Sequence, residues 1–227
     1  MKKYGSLLSA LDDFQERQCF LFDMDGLIFD SEQLFMEQLA AVMADHGYHL
    51  TRDIYVHTLG MGGEPLRNYM QGIYGQNYPF EECGHEAGRR VLQIAEHVGL
   101  RIKPQIVEAL EMLHSHHKQC GVASSTNSAQ VRKYLEITNL MQYFSVIIGG
   151  DMISAAKPDP EIFLTAASQC GTRPEETVVL EDSENGIRAA HAAGMGTICV
   201  PDLVQPSAEL YSWIDALVIS CSDSNNI

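Results

Sequence analysis

Short apolar runs recur along this chain, once near its start and repeatedly in its second half. The first is CFLFD, from Cys19 to Asp23. The later runs are GVASS (121–125), SVIIGG (145–150), TVVLED (177–182), TICV (197–200) and ALVIS (216–220). Each is short, apolar and bounded by Gly, Pro, Asp or other polar residues, which is typical of parallel strands covered on both faces. The pattern therefore predicts a buried parallel sheet.

Helical periodicity fills the gaps between most of these runs. The segments with this spacing are 105–117, 128–135, 161–170 and 183–193, and an amphipathic lead-in places Leu7, Leu8, Leu11 and Phe14 on one helical face. Strand and helix alternate, which favours an α/β fold with right-handed crossovers. The predicted architecture is a Rossmann-like, doubly wound parallel sheet.

The stretch from about Ser31 to Lys103 breaks this alternation. Its apolar residues recur with helical spacing, as at Val91 and Ala95, and no segment within it has a convincing strand pattern. We interpret it as an all-helical insert after the first strand. The predicted domains are an α/β core formed by residues 1–30 and 104–227, and a helical cap formed by residues 31–103.

Composition argues against several classes of protein. The 227 residues carry a formal charge of −15 with only 15 Lys and Arg, which argues against binding to a nucleic-acid backbone. No run approaches the roughly 20 apolar residues of a membrane span, and the charged opening is unlike a signal peptide. We therefore expect a cytoplasmic protein, and we expect no obligate protein partner. The six cysteines lack CxxC spacing, so we expect reduced thiols that form neither disulfides nor a zinc site.

Polar residues end the predicted strands. Asp23 and Asp25 follow the first strand, Ser124 and Ser125 close the second, and Glu181 and Asp182 end the fourth. Lys157 lies in a proline-containing turn after the third strand. Because the carboxyl ends of parallel strands converge at one edge of the sheet, these side chains are expected to lie close together.

Four carboxylates that lie so close together would repel one another unless a cation lay among them. Mg²⁺ fits best, because it accepts a few carboxylate and carbonyl oxygens and waters while leaving positions for a substrate phosphate. Lys157 and the Ser124 hydroxyl would then bind the remaining phosphoryl oxygens. The sequence therefore predicts a magnesium site that binds a small phosphorylated metabolite.

Four segments, FDMDG, VASS, KPDPEIF and LEDSENG, occur in the order and spacing of the four motifs of the haloacid-dehalogenase superfamily. The chain resembles the branch of that superfamily that contains β-phosphoglucomutase and many sugar-phosphate phosphatases. The resemblance extends from Cys19 to Ser220, and it implies that the helical insert is a mobile cap that closes over the substrate.

The resemblance also implies a role for each matching residue. Asp23 resembles the nucleophile that forms an aspartyl-phosphate, and Asp25 resembles the general acid and base. The Asp23 carboxylate, the Asp25 backbone carbonyl and Asp182 resemble the magnesium ligands, with Glu181 in the outer shell. Ser124, Ser125 and Lys157 match the phosphate-binding positions.

Simpler structural interpretations compete at some of these positions. Ser124 could cap the following helix, although Ser125, Thr126 or Ser128 could do so instead. In the insert, Gly62 and Gly63 belong to the segment GMGGE (60–64). This segment could be a substrate-facing loop, or it could be only a connection between cap helices; the sequence leaves both open.

The first functional hypothesis is a magnesium-dependent phosphatase that uses an aspartyl-phosphate, with a sugar phosphate as substrate. The alternatives are a phosphomutase and a non-catalytic phospholigand-binding protein. A phosphomutase is disfavoured because Phe35 stands where β-phosphoglucomutases carry a cap histidine. Gly63 similarly aligns with their phosphate-binding arginine, although Arg67 is one helical turn away. A dehalogenase is also disfavoured, because that chemistry needs neither magnesium nor Asp25.

Overall fold

A computed structural model describes residues 1–59, 61 and 63–219. The chain divides into two compact units. The first combines residues 1–30 with the chain from residue 101 onward, and the second is residues 31–100. Ser220, Cys221 and Gly62, on which some of the sequence predictions fall, lie outside the described residues.

The first unit is built on one parallel sheet. Its strands within the described residues are β1 (Lys2–Tyr4), β2 (Cys19–Phe22), β3 (Gln119–Ala123), β4 (Val146–Ile148), β5 (Thr177–Glu181), β6 (Gly196–Cys199) and β7 (Ala216–Val218). They lie side by side in the order β1-β7-β6-β5-β2-β3-β4. Every neighbouring pair is parallel, so all the strands end at the same edge of the sheet.

Helices connect these strands and also form the second unit. Those of the first unit are α1 (Leu7–Leu11), α6 (Ile106–Ser115), α7 (Ser128–Ile137), α8 (Glu161–Gln169) and α9 (Glu184–Ala192). Those of the second unit are α2 (Ser31–Asp45), α3 (Arg52–Thr58), α4 (Gly63–Tyr74) and α5 (Phe80–Val98). Strand and helix alternate in the first unit, and the predicted Rossmann-like α/β fold is confirmed.

The centre of the sheet is buried on both faces. All residues of β2, β5 and β6 are buried, since helices cover the two sides of the sheet. One cluster packs Leu21 of β2 and Val179 of β5 against Phe163 of α8 and Ala189 of α9. This packing fixes the positions from which the polar strand ends project, because a closely packed interior resists small displacements.

Two local features differ from the sequence analysis. The strand β1 was not predicted, because its sequence Lys2-Lys3-Tyr4 lacks an apolar run; it forms by pairing with β7 at the edge of the sheet. The residue that caps α7 was also not predicted. The Asn127 side chain accepts a hydrogen bond from the Ala129 N–H at 3.0 Å, so Ser124 is not needed as a cap.

No helix in the described part of the chain is both long enough and apolar enough to cross a membrane. Among the described cysteines, Cys19, Cys83, Cys120 and Cys199 are buried and Cys170 is half-buried, and all five are free thiols.

Candidate active site

The candidate site begins at the end of the central strand β2. Asp23 follows this strand, and its backbone N–H donates a 3.0 Å hydrogen bond to Leu180 O of β5. On the other side of β2, Ser124 follows β3 and donates from its backbone to Ile148 O at 3.1 Å. Because β2 lies between β3 and β5, the residues that end these three strands are neighbours in space.

Lys157 joins the ends of all three strands. Its ammonium group donates to Asp23 Oδ1 at 2.5 Å, to Glu181 Oε1 at 2.7 Å and to the Ala123 carbonyl at 3.0 Å. The Lys157 side chain is only 5% exposed, and it lies over the ring of Phe163, 4.8 Å from the ring centroid. An ammonium has three N–H donors, so protein atoms engage all of them. Lys157 is therefore a fixed buried cation.

Glu181 is fully buried and held by several donors. Besides Lys157, which binds Oε1, its carboxylate Oε2 accepts hydrogen bonds from the backbone N–H groups of Asp182 at 3.0 Å and Ser183 at 2.9 Å, and from the Ser183 hydroxyl at 2.9 Å. The carboxylate also fills the space beside Gly186, where a Cβ would stand only 1.8 Å from Oε1. Both Glu181 oxygens are thus bound by groups of the protein.

Asp25 is held by the loop after β3. Its Oδ2 accepts a 2.7 Å hydrogen bond from the Thr126 hydroxyl and a longer 3.4 Å contact from the Ser124 hydroxyl. The Ser124 oxygen in turn accepts from the Thr126 N–H at 3.0 Å. The sequence indicates Thr126 only as a possible helix cap, because its contact with Asp25 joins two segments that are 101 residues apart. Ser125 has an exposed side chain.

Burial and the neighbouring charges at this edge of the sheet shift the pKa values of Asp23 and Lys157. The pKa of Asp23 is raised to about 8, chiefly by burial. The charges of Glu181 and Asp25 also raise this pKa, and Lys157 lowers it. Burial lowers the pKa of Lys157, but the charges of Asp23 and Glu181 outweigh that effect and raise it overall. Two further acids thus act on Asp23 against one ammonium, so an additional cation would favour its ionised form.

Asp182 and Gly26 bear on the predicted magnesium site. Gly26 has a φ of 82°, and a Cβ at this position would meet Asp182 Oδ2 at 2.3 Å. The absence of a side chain therefore lets Asp182 approach the loop that contains Asp23 and Asp25. Two carboxylates and the backbone carbonyl of Asp25 form a set of oxygen donors that suits Mg²⁺.

In the described residues there is no group of three or more His, Cys, Asp or Glu side chains that could hold a metal ion. The predicted ligand set contains only two acidic side chains, Asp23 and Asp182, and completes its coordination with a backbone carbonyl, waters and substrate. Such a set is normal for Mg²⁺, which keeps several waters when it binds to proteins. The donors therefore fit this ion, and the role of each remains a prediction.

Of the two predicted substrate-binding glycines, Gly63 lies within the described residues, in the helical unit. Gly63 begins α4 with a φ of 56°, and a Cβ built there would meet open space. A positive φ is a conformation that glycine adopts readily. This accounts for a glycine at the start of α4, and a role for Gly63 in substrate binding remains a prediction.

Comparison with known proteins identifies the family. Residues 20–200 match the family model described as haloacid dehalogenase-like hydrolase. The phosphorylated carbohydrates phosphatase of Thermotoga maritima is 32% identical over 184 residues, which cover 80% of this chain and 83% of that protein. The phosphoglycolate phosphatase of Salmonella typhimurium is 36% identical over 213 residues, and the match covers 83% of this chain and 82% of that protein.

The fold has solved counterparts as well. The structure of a putative beta-phosphoglucomutase from Thermotoga maritima superposes with a TM-score of 0.72 at 30% identity, covering 88% of this chain and 94% of that one. This chain belongs to the haloacid dehalogenase-like hydrolase family. The predictions of that family and of a phosphatase within it are confirmed.

The contacts of Lys157 generate a prediction about stability. Replacing Lys157 with Met leaves Asp23 and Glu181 buried without their cation, and breaking a buried pair in this way costs about 3–5 kcal/mol. We expect the free energy of unfolding in urea, measured in the presence of a chelator, to fall by this amount. The exposed Lys3 of β1 offers a matched control, since Lys3→Met should change it by less than about 0.5 kcal/mol. Equal losses in the two variants would contradict the role of Lys157.

Proposed function

We propose that this chain is a magnesium-dependent phosphatase that hydrolyses a small phosphorylated carbohydrate through an aspartyl-phosphate at Asp23. The observation that carries the proposal is the pairing of a buried carboxylate at the end of β2 with a buried ammonium, Lys157, 2.5 Å away. A second carboxylate, Asp25, lies two residues further on. These are the groups that phosphoryl transfer to a carboxylate needs: a nucleophile, a cation for the phosphoryl oxygens and a proton donor.

The first step would form the covalent intermediate. One Asp23 carboxylate oxygen attacks phosphorus, and the bond between phosphorus and the substrate oxygen breaks. Asp25, held by Thr126 at 2.7 Å, gives its proton to the leaving oxygen, which departs as an alcohol. Lys157 stabilises the negative charge that the phosphoryl oxygens carry in the transition state.

The second step would release phosphate. Asp25, now ionised, takes a proton from a water molecule, and the resulting hydroxide attacks phosphorus, which frees the Asp23 carboxylate. The Ser124 hydroxyl has only a 3.4 Å contact with Asp25, which is too long for a strong hydrogen bond. Its proton can therefore turn to a phosphoryl oxygen, and this is the basis for proposing Ser124 as a phosphate-binding residue; the resemblance alone supports Ser125.

Magnesium would be held by the carboxylates of Asp23 and Asp182 and by the Asp25 carbonyl, with Glu181 outside the ligand shell. When bound, it would offset the repulsion between the phosphate and these acids. Glu181 suits an outer position, since its two oxygens already accept hydrogen bonds from Lys157, Ser183 and the Asp182 N–H.

The substrate class rests on the named relatives, which include a phosphorylated carbohydrates phosphatase and a phosphoglycolate phosphatase. Phosphate release from a panel of hexose, pentose and polyol phosphates and phosphoglycolate would rank the substrates. We expect the highest kcat/KM for a phosphorylated carbohydrate, and a higher value for phosphoglycolate would contradict this part of the proposal.

The nucleophile can be tested by substitution. Asp23→Asn keeps the size of the side chain and removes the anionic oxygen that attacks phosphorus, so kcat should fall by several orders of magnitude. Thermal unfolding should confirm that the variant is folded. Asp12 is exposed, and Asp12→Asn should keep full activity as the matched change in charge. Near-normal turnover by Asp23→Asn would rule out the covalent mechanism.

The phosphomutase alternative has support in the 30% identical structure of a putative beta-phosphoglucomutase. Within the helical unit, Phe35 lies beside the Tyr55 ring, with centroids 6.4 Å apart, and it cannot donate a hydrogen bond to a carboxylate. Arg67 is paired with Glu81 and lies over the ring of Phe80. Phe35 and Gly63 therefore supply neither the hydrogen-bonding group nor the charge that a mutase would use, and Arg67 is already engaged by Glu81.

The two activities differ in their products. With β-glucose 1-phosphate as substrate and catalytic β-glucose 1,6-bisphosphate, we expect phosphate release to exceed the formation of glucose 6-phosphate, because water reaches the covalent intermediate first. Both products can be followed in one reaction by coupled assays. Formation of glucose 6-phosphate faster than phosphate would make the phosphomutase the better assignment.

A further inference from the structure

Asp202 is a buried carboxylate that the proposed mechanism does not use. It follows β6 in the segment Val200-Pro201-Asp202, and its side chain is only 8% exposed. Its Oδ1 accepts a hydrogen bond from the Lys103 ammonium. Its Oδ2 is buried and has no hydrogen-bond partner in the described residues. Since buried polar atoms nearly always have a partner, this oxygen points to a group that the described residues do not supply.

The unpartnered oxygen lies beside the proposed magnesium site. A Cβ placed on Gly26 would have Asp182 Oδ2 at 2.3 Å and Asp202 Oδ2 at 3.2 Å. The two carboxylates therefore face the same small space next to the backbone of the loop that contains Asp25. Two anions that share such a space repel each other unless a cation or a donor lies between them.

Lys103 fixes which oxygen of Asp202 faces this space. The backbone N–H of Lys103 donates to Ile28 O at 2.8 Å, and the preceding residue, Ile102, forms a bridge with Phe29. The Lys103 side chain is 20% exposed, so most of it is held inside the protein. With Oδ1 bound by Lys103, Oδ2 remains to accept a further hydrogen bond.

We infer that Asp202 is a positioning residue for magnesium, and that its Oδ2 accepts a hydrogen bond from a water molecule bound to the ion. The inference rests on the proposed magnesium site and adds to it a residue outside the four motifs. Magnesium keeps several of its waters in proteins, and these waters need acceptors. Residues that orient a metal's ligands from outside the coordination shell typically change metal affinity 10–100-fold when they are replaced.

The test is a calorimetric titration of the protein with Mg²⁺ in the absence of substrate. Asp202→Asn should raise the dissociation constant about 10-fold or more, while Asp12→Asn, which removes an exposed negative charge, should leave it unchanged. The phosphatase activity of Asp202→Asn should recover at proportionally higher Mg²⁺, which would not occur if the variant merely misfolded. Should Asp202→Asn fail to fold, Asp202→Ala provides the same comparison.

The possible results distinguish the role of Asp202 from the proposed magnesium site on which it rests. Magnesium binding by the unmodified protein together with unchanged affinity in Asp202→Asn would overturn the role of Asp202 and leave the magnesium site intact. Failure of the unmodified protein to bind Mg²⁺, with full activity in excess chelator, would overturn the site itself and this inference with it.

Discussion

Two carboxylates, Asp23 and Glu181, are buried at the end of neighbouring strands, and a single ammonium, that of Lys157, lies between them. Moving ionised groups out of water is costly, and the cost is offset only when the charges are paired and hydrogen-bonded. Lys157 meets both conditions and also binds the Ala123 carbonyl of a third strand. The rest of the site is arranged around this charge pairing, because it places Asp23, the proposed nucleophile, beside Lys157, the proposed cation for the phosphoryl oxygens.

Two glycines complete this arrangement, because they let carboxylate side chains approach the backbone closely. Gly186 leaves room for the Glu181 carboxylate, and Gly26 leaves room for Asp182 against the loop that contains Asp23 and Asp25. A methyl group at either position would stand within 2.3 Å of a carboxylate oxygen. Both glycines belong to the motifs that identified the family, and here the physical reason is the space that the acids occupy. The site thus depends on small residues as much as on charged ones.

Much of the fold follows from simple patterns in the sequence. Continuous apolar runs predict the central strands, and their ends fall within two residues of the prediction, as at Cys19–Phe22 and Thr177–Glu181. The edge strand Lys2–Tyr4 could not be predicted in this way, since it is held by pairing with β7 and by contacts of Lys2 and Tyr4 with Asp13. Pairing between distant segments leaves little trace in a local pattern.

The same distinction applies to the site. Asp23, Ser124 and Glu181 could be expected to meet, because parallel strands in a doubly wound sheet end at one edge. Thr126 and Asp202 could not be expected there, because the fold brings them from distant parts of the chain. Thr126 donates a hydrogen bond to Asp25, and Asp202 Oδ2 lies close to Gly26. Neither residue differs in type from the many Thr and Asp residues that face solvent. Only the folded structure identifies them.

The most direct test of the central claim is to trap the covalent intermediate. Acid quenching during turnover, followed by borohydride reduction, converts an aspartyl-phosphate to homoserine, which peptide mass spectrometry can locate. The mechanism predicts homoserine at position 23, formed only when substrate is present. Reduction at a different residue, or continued turnover without any trapped residue, would contradict the assignment of Asp23 as the nucleophile.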